Sequence, residues 1–320
     1  MAGDLSTERI LKWVGGAAAV SATAFALYKL AKRVGPLSSS WFAELGSMWP
    51  GQAMCLEVEK VLYKGRSKFQ DVLVFQSKTW GKVLVLDGVI QVTERDEFAY
   101  QEMMAHLPLF THPNPKKALV IGGGDGGILR EIARHPSVEE IDICEIDGDV
   151  IEMAKKHLQF TAVGYSDPRV RVRVEDGFEF MKRHKNEYDV IVVDSSDPVG
   201  PAEVLFKEPF YAAMSAALRD GGVAATQGEC MWLHLELLEN LLGFSKKLFS
   251  TVQYAQISIP TYPCGTIGVL CLGKSKGTDF KNPKRTPSQT QTQALRYYTP
   301  AIHKAAFILP AFASKALGQA

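Results

Sequence analysis

Between Ala118 and Ala133 the chain reads Ala-Leu-Val-Ile-Gly-Gly-Gly-Asp-Gly-Gly-Ile-Leu-Arg-Glu-Ile-Ala. An apolar run short enough for a buried parallel strand stops at Gly122, a nearly pure glycine stretch follows, and helical apolar periodicity begins at Ile128. This is a strand, a tight turn and a helix start, the arrangement that brings backbone close to a ligand at the carboxyl end of a strand. Asp125 is the odd member. A pyrophosphate held by this turn would meet a carboxylate at about 4 Å, a cost of roughly 4 kcal/mol per charge pair at an effective dielectric near 20. The loop therefore argues against a dinucleotide and for a cationic or neutral nucleoside.

From Lys117 onward strands and helices alternate, as in a doubly wound parallel sheet. Strands are predicted over 118–122, 140–147, 170–174 and 188–193, with another near Val223. Helices are predicted over 208–218 and 232–248. Two last strands, 252–259 and 266–272, are spaced to pair as an antiparallel hairpin, which marks the methyltransferase-type variant of the Rossmann-like sheet. From Trp41 to about Thr93 the pattern is instead β-like, with turn signals at Lys64-Gly65 and Asp87-Gly88, so a small antiparallel β subdomain precedes the glycine turn. A helix begins near Glu94, and 274–293 reads as a polar surface loop. The predicted division is an extension and linker over 1–40, the β subdomain over 41–107 and the catalytic domain over 108–320.

Strand ends are where an open α/β sheet binds ligands. Read in order they give Asp125, Glu145, Asp176, Asp194 and Asp197, with no lysine or arginine directly among them. Over the 320 residues, 36 Lys and Arg nearly balance 35 Asp and Glu, so a neutral chain concentrates negative charge in one cleft. There is no basic excess for nucleic acid. Glu145, about 20 positions past the glycines, suits a ribose hydroxyl pair, and Asp176 could accept from an adenine amino group. The other carboxylates remain for amines or a sulfonium. Each acid alone also has a structural explanation, since strand-end acids cap following helices.

Seven stretches carry a resemblance: Met48-Trp-Pro-Gly-Gln52, Leu84-Val-Leu-Asp-Gly-Val-Ile-Gln91, Thr93-Glu-Arg-Asp-Glu-Phe98, Gly122-Gly-Gly-Asp-Gly-Gly127, Asp194-Ser-Ser-Asp-Pro198, Gln227-Gly-Glu-Cys230 and Ile259-Pro-Thr-Tyr-Pro263. Together they resemble the spermidine synthases of the polyamine aminopropyltransferase family, from about Trp41 to the carboxyl end. The resemblance implies transfer of the aminopropyl group of decarboxylated S-adenosylmethionine to putrescine, giving spermidine and 5'-methylthioadenosine. It places Gln70, Gln101, Asp125, Glu145, Asp176 and Gly177 around the donor. Trp49, Tyr100, Asp194, Asp197, Glu229 and Tyr262 fall on the putrescine side, with Asp194 as the catalytic proton acceptor. It implies no cofactor or metal, the donor being a co-substrate, and a homodimer.

An alkylamine titrates near 10.4 and an ordinary aspartate near 3.9, a gap of roughly 6 units or about 9 kcal/mol. Asp194 can take the amine's proton only if burial raises its pKa and apolar walls lower that of the amine. Three rival activities share the fold. A putrescine N-methyltransferase would keep the donor's carboxylate, which Asp125 would repel. A spermine or thermospermine synthase differs in channel length, which sequence does not report. A nucleic-acid methyltransferase would need a basic stripe with aromatics. A silent scaffold is the non-enzymatic alternative.

Five scattered cysteines without a C-x-x-C pair fit a reducing, cytoplasmic compartment better than a disulfide framework or zinc site. Residues 13–28 carry no charge and precede Lys29, Lys32 and Arg33. They read either as a membrane anchor or organelle-targeting helix or as an extension outside the fold. Sixteen residues span about 24 Å of helix against a hydrocarbon core of roughly 30 Å.

Overall fold

The computed structural model of the chain describes residues 40–198 and 200–319. The segment 13–28 lies outside the described residues, and among those described no helix is long and apolar enough to cross a membrane.

Twelve strands among the described residues form two sheets. The first is antiparallel, in the order β1 (Trp41–Glu44), β2 (Met54–Arg66), β3 (Asp71–Ser77), β4 (Gly81–Leu86) and β5 (Val89–Thr93). Period-two alternation divides its side chains. Leu56, Phe75, Val83, Val85 and Ile90 form one small core, while Val72, Val74, Leu84 and Val92 pack with Val150 and Ala154 of the catalytic unit. Asp87 and Gly88 both take positive φ, 47° and 87°, the geometry of a two-residue hairpin turn. Lys64-Gly65 is not a turn. It continues β2, and the chain reverses at Ser67, whose hydroxyl accepts from the Phe69 and Gln70 amides at 3.1 Å each.

The second sheet runs β11-β12-β10-β9-β6-β7-β8. Its parallel strands are β6 (Lys117–Gly122), β7 (Glu140–Glu145), β8 (Val170–Val174), β9 (Tyr188–Asp194) and β10 (Leu218–Gln227). The hairpin of β11 (Thr251–Ser258) and β12 (Thr266–Gly273) closes one edge antiparallel. This is the expected Rossmann-like, methyltransferase-type sheet behind an antiparallel subdomain. Along β6, Ala118 and Val120 enter one core and Leu119 and Ile121 the other. Covering both faces is what a parallel sheet requires, and it explains the unbroken apolar run. The chain leaves β6 toward β7 on one side and returns to β9 on the other, so the topological switch point falls between Gly122 and Asp194, which are in register.

Helix α1 (Glu97–Thr111) carries Tyr100 and Gln101 and packs against the large sheet and against α2 (Gly127–Ala133). The stretch 274–293 is more anchored than its polarity suggests. Phe280 is fully buried, and the Arg285 guanidinium donates to the Leu109 and His112 carbonyls and to Ser137. Beyond it, the buried Glu102 carboxylate of α1 accepts from the Arg296, Tyr297 and Tyr298 amides at 2.8, 2.9 and 2.7 Å. One side chain next to Gln101 thus fastens the carboxyl-terminal segment.

Hydrogen bonds to a buried charged acceptor contribute about 1.5–3 kcal/mol each, and stranded amides add a desolvation penalty. Glu102→Ala should therefore destabilise the fold by about 3 kcal/mol or more and lower the thermal midpoint by at least roughly 6 °C. An unchanged midpoint in a calorimetric scan would remove Glu102 from this role.

Candidate active site

At the switch point Gly122 takes φ 77°, and a Cβ built on it would lie 2.1 Å from the Asp194 carbonyl oxygen. Only glycine lets β6 end this close to β9. The Gly123 amide then donates to that carbonyl at 2.9 Å. The turn brings Asp125 back over the strand ends, where one carboxylate oxygen accepts from the Gly127 amide at 2.8 Å and from Gln101 Nε2 at 3.0 Å. The other Gln101 amide atom, Oε1, is buried without a partner. It is an acceptor awaiting a donor group.

All twelve residues expected from the sequence line one cleft: Trp49, Gln70, Tyr100, Gln101, Asp125, Glu145, Asp176, Gly177, Asp194, Asp197, Glu229 and Tyr262. On the glycine-loop side Glu145 is buried at the end of β7, and one of its oxygens accepts from the Asp147 amide at 2.8 Å. Asp176 caps α4, where α3 is Gly148–His157 and α4 is Gly177–Arg183, by accepting from the Phe178 and Glu179 amides with Oδ1. The structural explanation for a strand-end acid therefore holds at Asp176, with its second oxygen left over. A Cβ on Gly177 would meet Ile121 at 2.5 Å. Gln70 reaches the cleft from the small sheet and is held by its Nε2, which donates to Asp147 at 2.9 Å. Ser67 donates to the same oxygen at 2.6 Å.

On the opposite side the Tyr100 hydroxyl donates to Asp194 Oδ1 at 2.7 Å, and the Tyr262 hydroxyl donates to the Gln91 carbonyl at 2.7 Å. The two rings lie 5.6 Å apart. Burial and the Asp194 charge raise both phenols well above their usual range, so each stays a donor. The loop bearing Tyr262 is pinned by Asp96, whose carboxylate accepts from the Thr261 amide and hydroxyl at 2.9 and 2.7 Å and from Thr93 at 2.6 Å. Farther along, Glu229 takes φ 51°, a strained value for a non-glycine residue. Its carbonyl is held by the Tyr254 hydroxyl at 2.8 Å and the Gly268 amide at 2.9 Å. Gln227 Nε2 donates to its carboxylate at 3.2 Å.

The electrostatics follow from this crowding. Seven carboxylates line the cleft among the described residues, Asp87 and the six acids in the expected set, with no lysine or arginine. Burial pushes the Asp125, Asp194 and Asp197 carboxyls above the ordinary range, and Asp194, Glu145 and Glu229 respectively raise them further. Burial lifts Glu145 to about 7. Among the described residues no lysine or arginine of the cleft wall offsets these acids, and a cation entering the cleft would favour their ionisation.

Sequence reading missed four residues here. Glu44, 1% exposed, accepts from the Ile90 amide at 3.0 Å. Burial raises it to about 7, and Asp197 adds to the shift. Its signal was an acid at the inward end of an otherwise apolar strand. His234, Asp147 and Asp96 act across chain separations of more than 75 residues, which no local pattern reports.

Residues 97–282 match the family model described as "Spermine/spermidine synthase domain", and residues 40–94 match the one described as "Spermidine synthase tetramerisation domain". The chain is 53% identical over 285 residues to the spermidine synthase of Schizosaccharomyces pombe, covering 89% of this chain and 96% of that one. It is 53% identical over 285 residues to spermidine synthase 2 of Arabidopsis thaliana, covering 87% and 84%. Among solved structures it superimposes on a spermidine synthase in complex with the transition-state analogue AdoDATO, with a TM-score of 0.84, 37% identity and coverage of 89% and 97%. The Thermotoga maritima spermidine synthase gives a TM-score of 0.81 at 38% identity, covering 88% and 94%. With two family models spanning both sheets and relatives this similar over nearly their whole length, the chain belongs to the spermidine synthase family.

Proposed function

We propose that the chain transfers the aminopropyl group of decarboxylated S-adenosylmethionine to putrescine, forming spermidine and 5'-methylthioadenosine. The observation that carries this reading is a cleft lined by seven carboxylates without a lysine or arginine. Such a wall suits a dicationic diamine beside a sulfonium donor that has lost its own carboxylate, and it disfavours an anionic ligand.

On this reading Glu145 takes the ribose hydroxyls, Asp176 the adenine amino group, and Gln70 and Gly177 complete the nucleoside pocket. Asp125 and the free Gln101 Oε1 take the ammonium of the aminopropyl arm. The loop thereby discriminates against ordinary S-adenosylmethionine, whose carboxylate would face Asp125. Asp197 and Glu229 hold one end of putrescine, with Trp49 beside them. Asp194, Tyr100 and Tyr262 hold the end that reacts.

The attacking nitrogen must first be neutral, its first proton passing to solvent before the cleft closes around it, and on this reading Asp194 then accepts a hydrogen bond from the neutral amine while Tyr100 orients its other side. As the nitrogen bonds to the carbon next to sulfur, the C–S bond breaks with its electron pair going to sulfur, which leaves as a neutral thioether. Positive charge moves onto nitrogen, where the Asp194 carboxylate stabilises it and then takes the proton. A buried carboxyl raised above its ordinary range makes that late transfer less uphill. Alignment of amine, carbon and sulfur supplies much of the remaining rate. The proposed reaction uses no cofactor, because the sulfonium is itself the electrophile. We further propose that the small sheet mediates self-association. The tetramerisation-domain match and the exposed Trp41, Leu45 and Val61 support this.

Incubation with putrescine and decarboxylated S-adenosylmethionine should release 5'-methylthioadenosine and spermidine in equal amounts; methylated putrescine from ordinary S-adenosylmethionine would overturn the reading. Asp194→Asn should lower kcat by about 10²–10⁴-fold with only a few-fold change in putrescine KM. A rise in KM alone would contradict its assignment. Because the cleft acids are raised when empty and ionise against a bound dication, putrescine binding should release protons. Its affinity should then fall as pH drops from 8 towards 6. Calorimetric titrations in buffers of different ionisation heat read that release directly, and identical heats would refute it.

A further inference from the structure

The loop Gly122-Gly-Gly-Asp-Gly-Gly127 is glycine at every position but Asp125, and glycine loses more conformational freedom on ordering than any other residue. Such a loop does not aim a carboxylate by itself. The Gly127 amide and Gln101 hold the Asp125 carboxylate, both through Oδ1. The backbone that carries it is held by a residue that does not line the cleft.

That residue is Tyr165, on the short 3-10 turn Val163–Ser166, which lies directly against the loop. A Cβ on Gly164 would fall 2.5 Å from both the Gly126 carbonyl oxygen and the Arg130 amide nitrogen, so the two backbones touch. Tyr165 then reaches both chain neighbours of Asp125. Its hydroxyl donates to the Gly124 carbonyl at 3.0 Å. Its ring covers Gly126, where a Cβ would meet Cε2 at 2.8 Å. The peptide between Gly124 and Asp125 is trans, so fixing that carbonyl also fixes the Asp125 amide opposite it and the direction in which the residue leaves the peptide plane.

Tyr165 is itself well anchored. It packs against one core of the large sheet and against the core that joins the small sheet to the catalytic unit. The Lys155 ammonium of α3 lies 5.2 Å from its ring centre. Burial and the nearby Asp125, Glu145 and Asp194 charges hold its phenol above the ordinary range, so the hydroxyl stays a donor.

We propose that Tyr165 is a positioning residue for donor binding: its hydroxyl on Gly124 and its ring on Gly126 set the angle at which Asp125 meets the ammonium of the aminopropyl arm. This rests on the aminopropyl-transfer reading above. It assigns the aim of the donor-selecting carboxylate to a side chain that touches neither substrate.

The test is calorimetric titration of the unaltered chain and of Tyr165→Phe with decarboxylated S-adenosylmethionine and with 5'-methylthioadenosine, which lacks the ammonium. The variant loses one oxygen and keeps the ring on Gly126, so its thermal midpoint should stay within a few degrees. Its affinity for decarboxylated S-adenosylmethionine should fall about three- to tenfold, the range of one neutral hydrogen bond. Affinity for 5'-methylthioadenosine should change less than about twofold on the same scale. In an Asp125→Asn background the substitution should cost no further affinity, since the carboxylate it aims is gone. Equal losses for the two ligands, the same loss in both backgrounds, no loss at all, or a variant that no longer folds would each overturn the proposal. Failure of the unaltered chain to bind decarboxylated S-adenosylmethionine would instead sink the aminopropyl-transfer reading itself.

Discussion

The backbone contact between Gly122 and Asp194 is the constraint on which the site depends. No side chain fits between the ends of β6 and β9, where a Cβ would sit 2.1 Å from a carbonyl oxygen. That proximity places the loop carboxylate Asp125 and the strand-end carboxylate Asp194 in one desolvated space, each raising the cost of charging its neighbourhood. A group that replaced Gly122 would not only strain the turn at φ 77°. It would separate the two sides of the proposed reaction, and an in-line displacement tolerates little misplacement.

Bringing so many acids together is unfavourable for the empty fold, and the surrounding architecture shows how that is tolerated. Some of the charge is spread into hydrogen bonds: Asp125 with Gly127 and Gln101, Glu145 with Asp147, Asp194 with Tyr100. The rest is suppressed by raised proton affinity, as at Glu145 and Glu44, both near 7. Rigid fastenings keep the acids from relaxing into solvent. Asp96 pins the Tyr262 loop, Glu102 ties the carboxyl-terminal segment to the helix carrying Tyr100 and Gln101, and Tyr254 holds the strained Glu229 backbone. Substrate cations then complete a charge balance that the fold leaves open.

What the sequence made legible was whatever repeats locally. The apolar run from Ala118 to Gly122, the glycine turn and an acid at each successive strand end announce a sheet and its ligand edge together, because in a parallel α/β sheet the same strand termini define both. The antiparallel hairpin at 251–273 was readable from spacing. Lys64-Gly65 misled because its turn propensity is weaker than the pairing of a long strand with β3, and the Ser67 hydroxyl supplies a better reversal three residues on. The polar stretch 274–293 hid Phe280 and Arg285, single anchors that composition averages away. Glu44 and His234 were invisible for a different reason. Their meaning lies in what faces them, Ile90 and Asp197 for one, Met48 and Glu229 for the other, and the approaches to Asp197 and Met48 exist only once the small sheet has closed over the large one.

The account's central claim is that the cleft recognises separated positive charges rather than an aliphatic chain. Equilibrium titration of the chain, in the presence of 5'-methylthioadenosine, with putrescine and with 1-aminobutane tests it most directly, since the two share a four-carbon chain and differ by one ammonium. Loss of a charge-assisted contact worth about 1.5–3 kcal/mol predicts that the monoamine binds roughly 10–100-fold more weakly. Equal affinities for the two amines would contradict it.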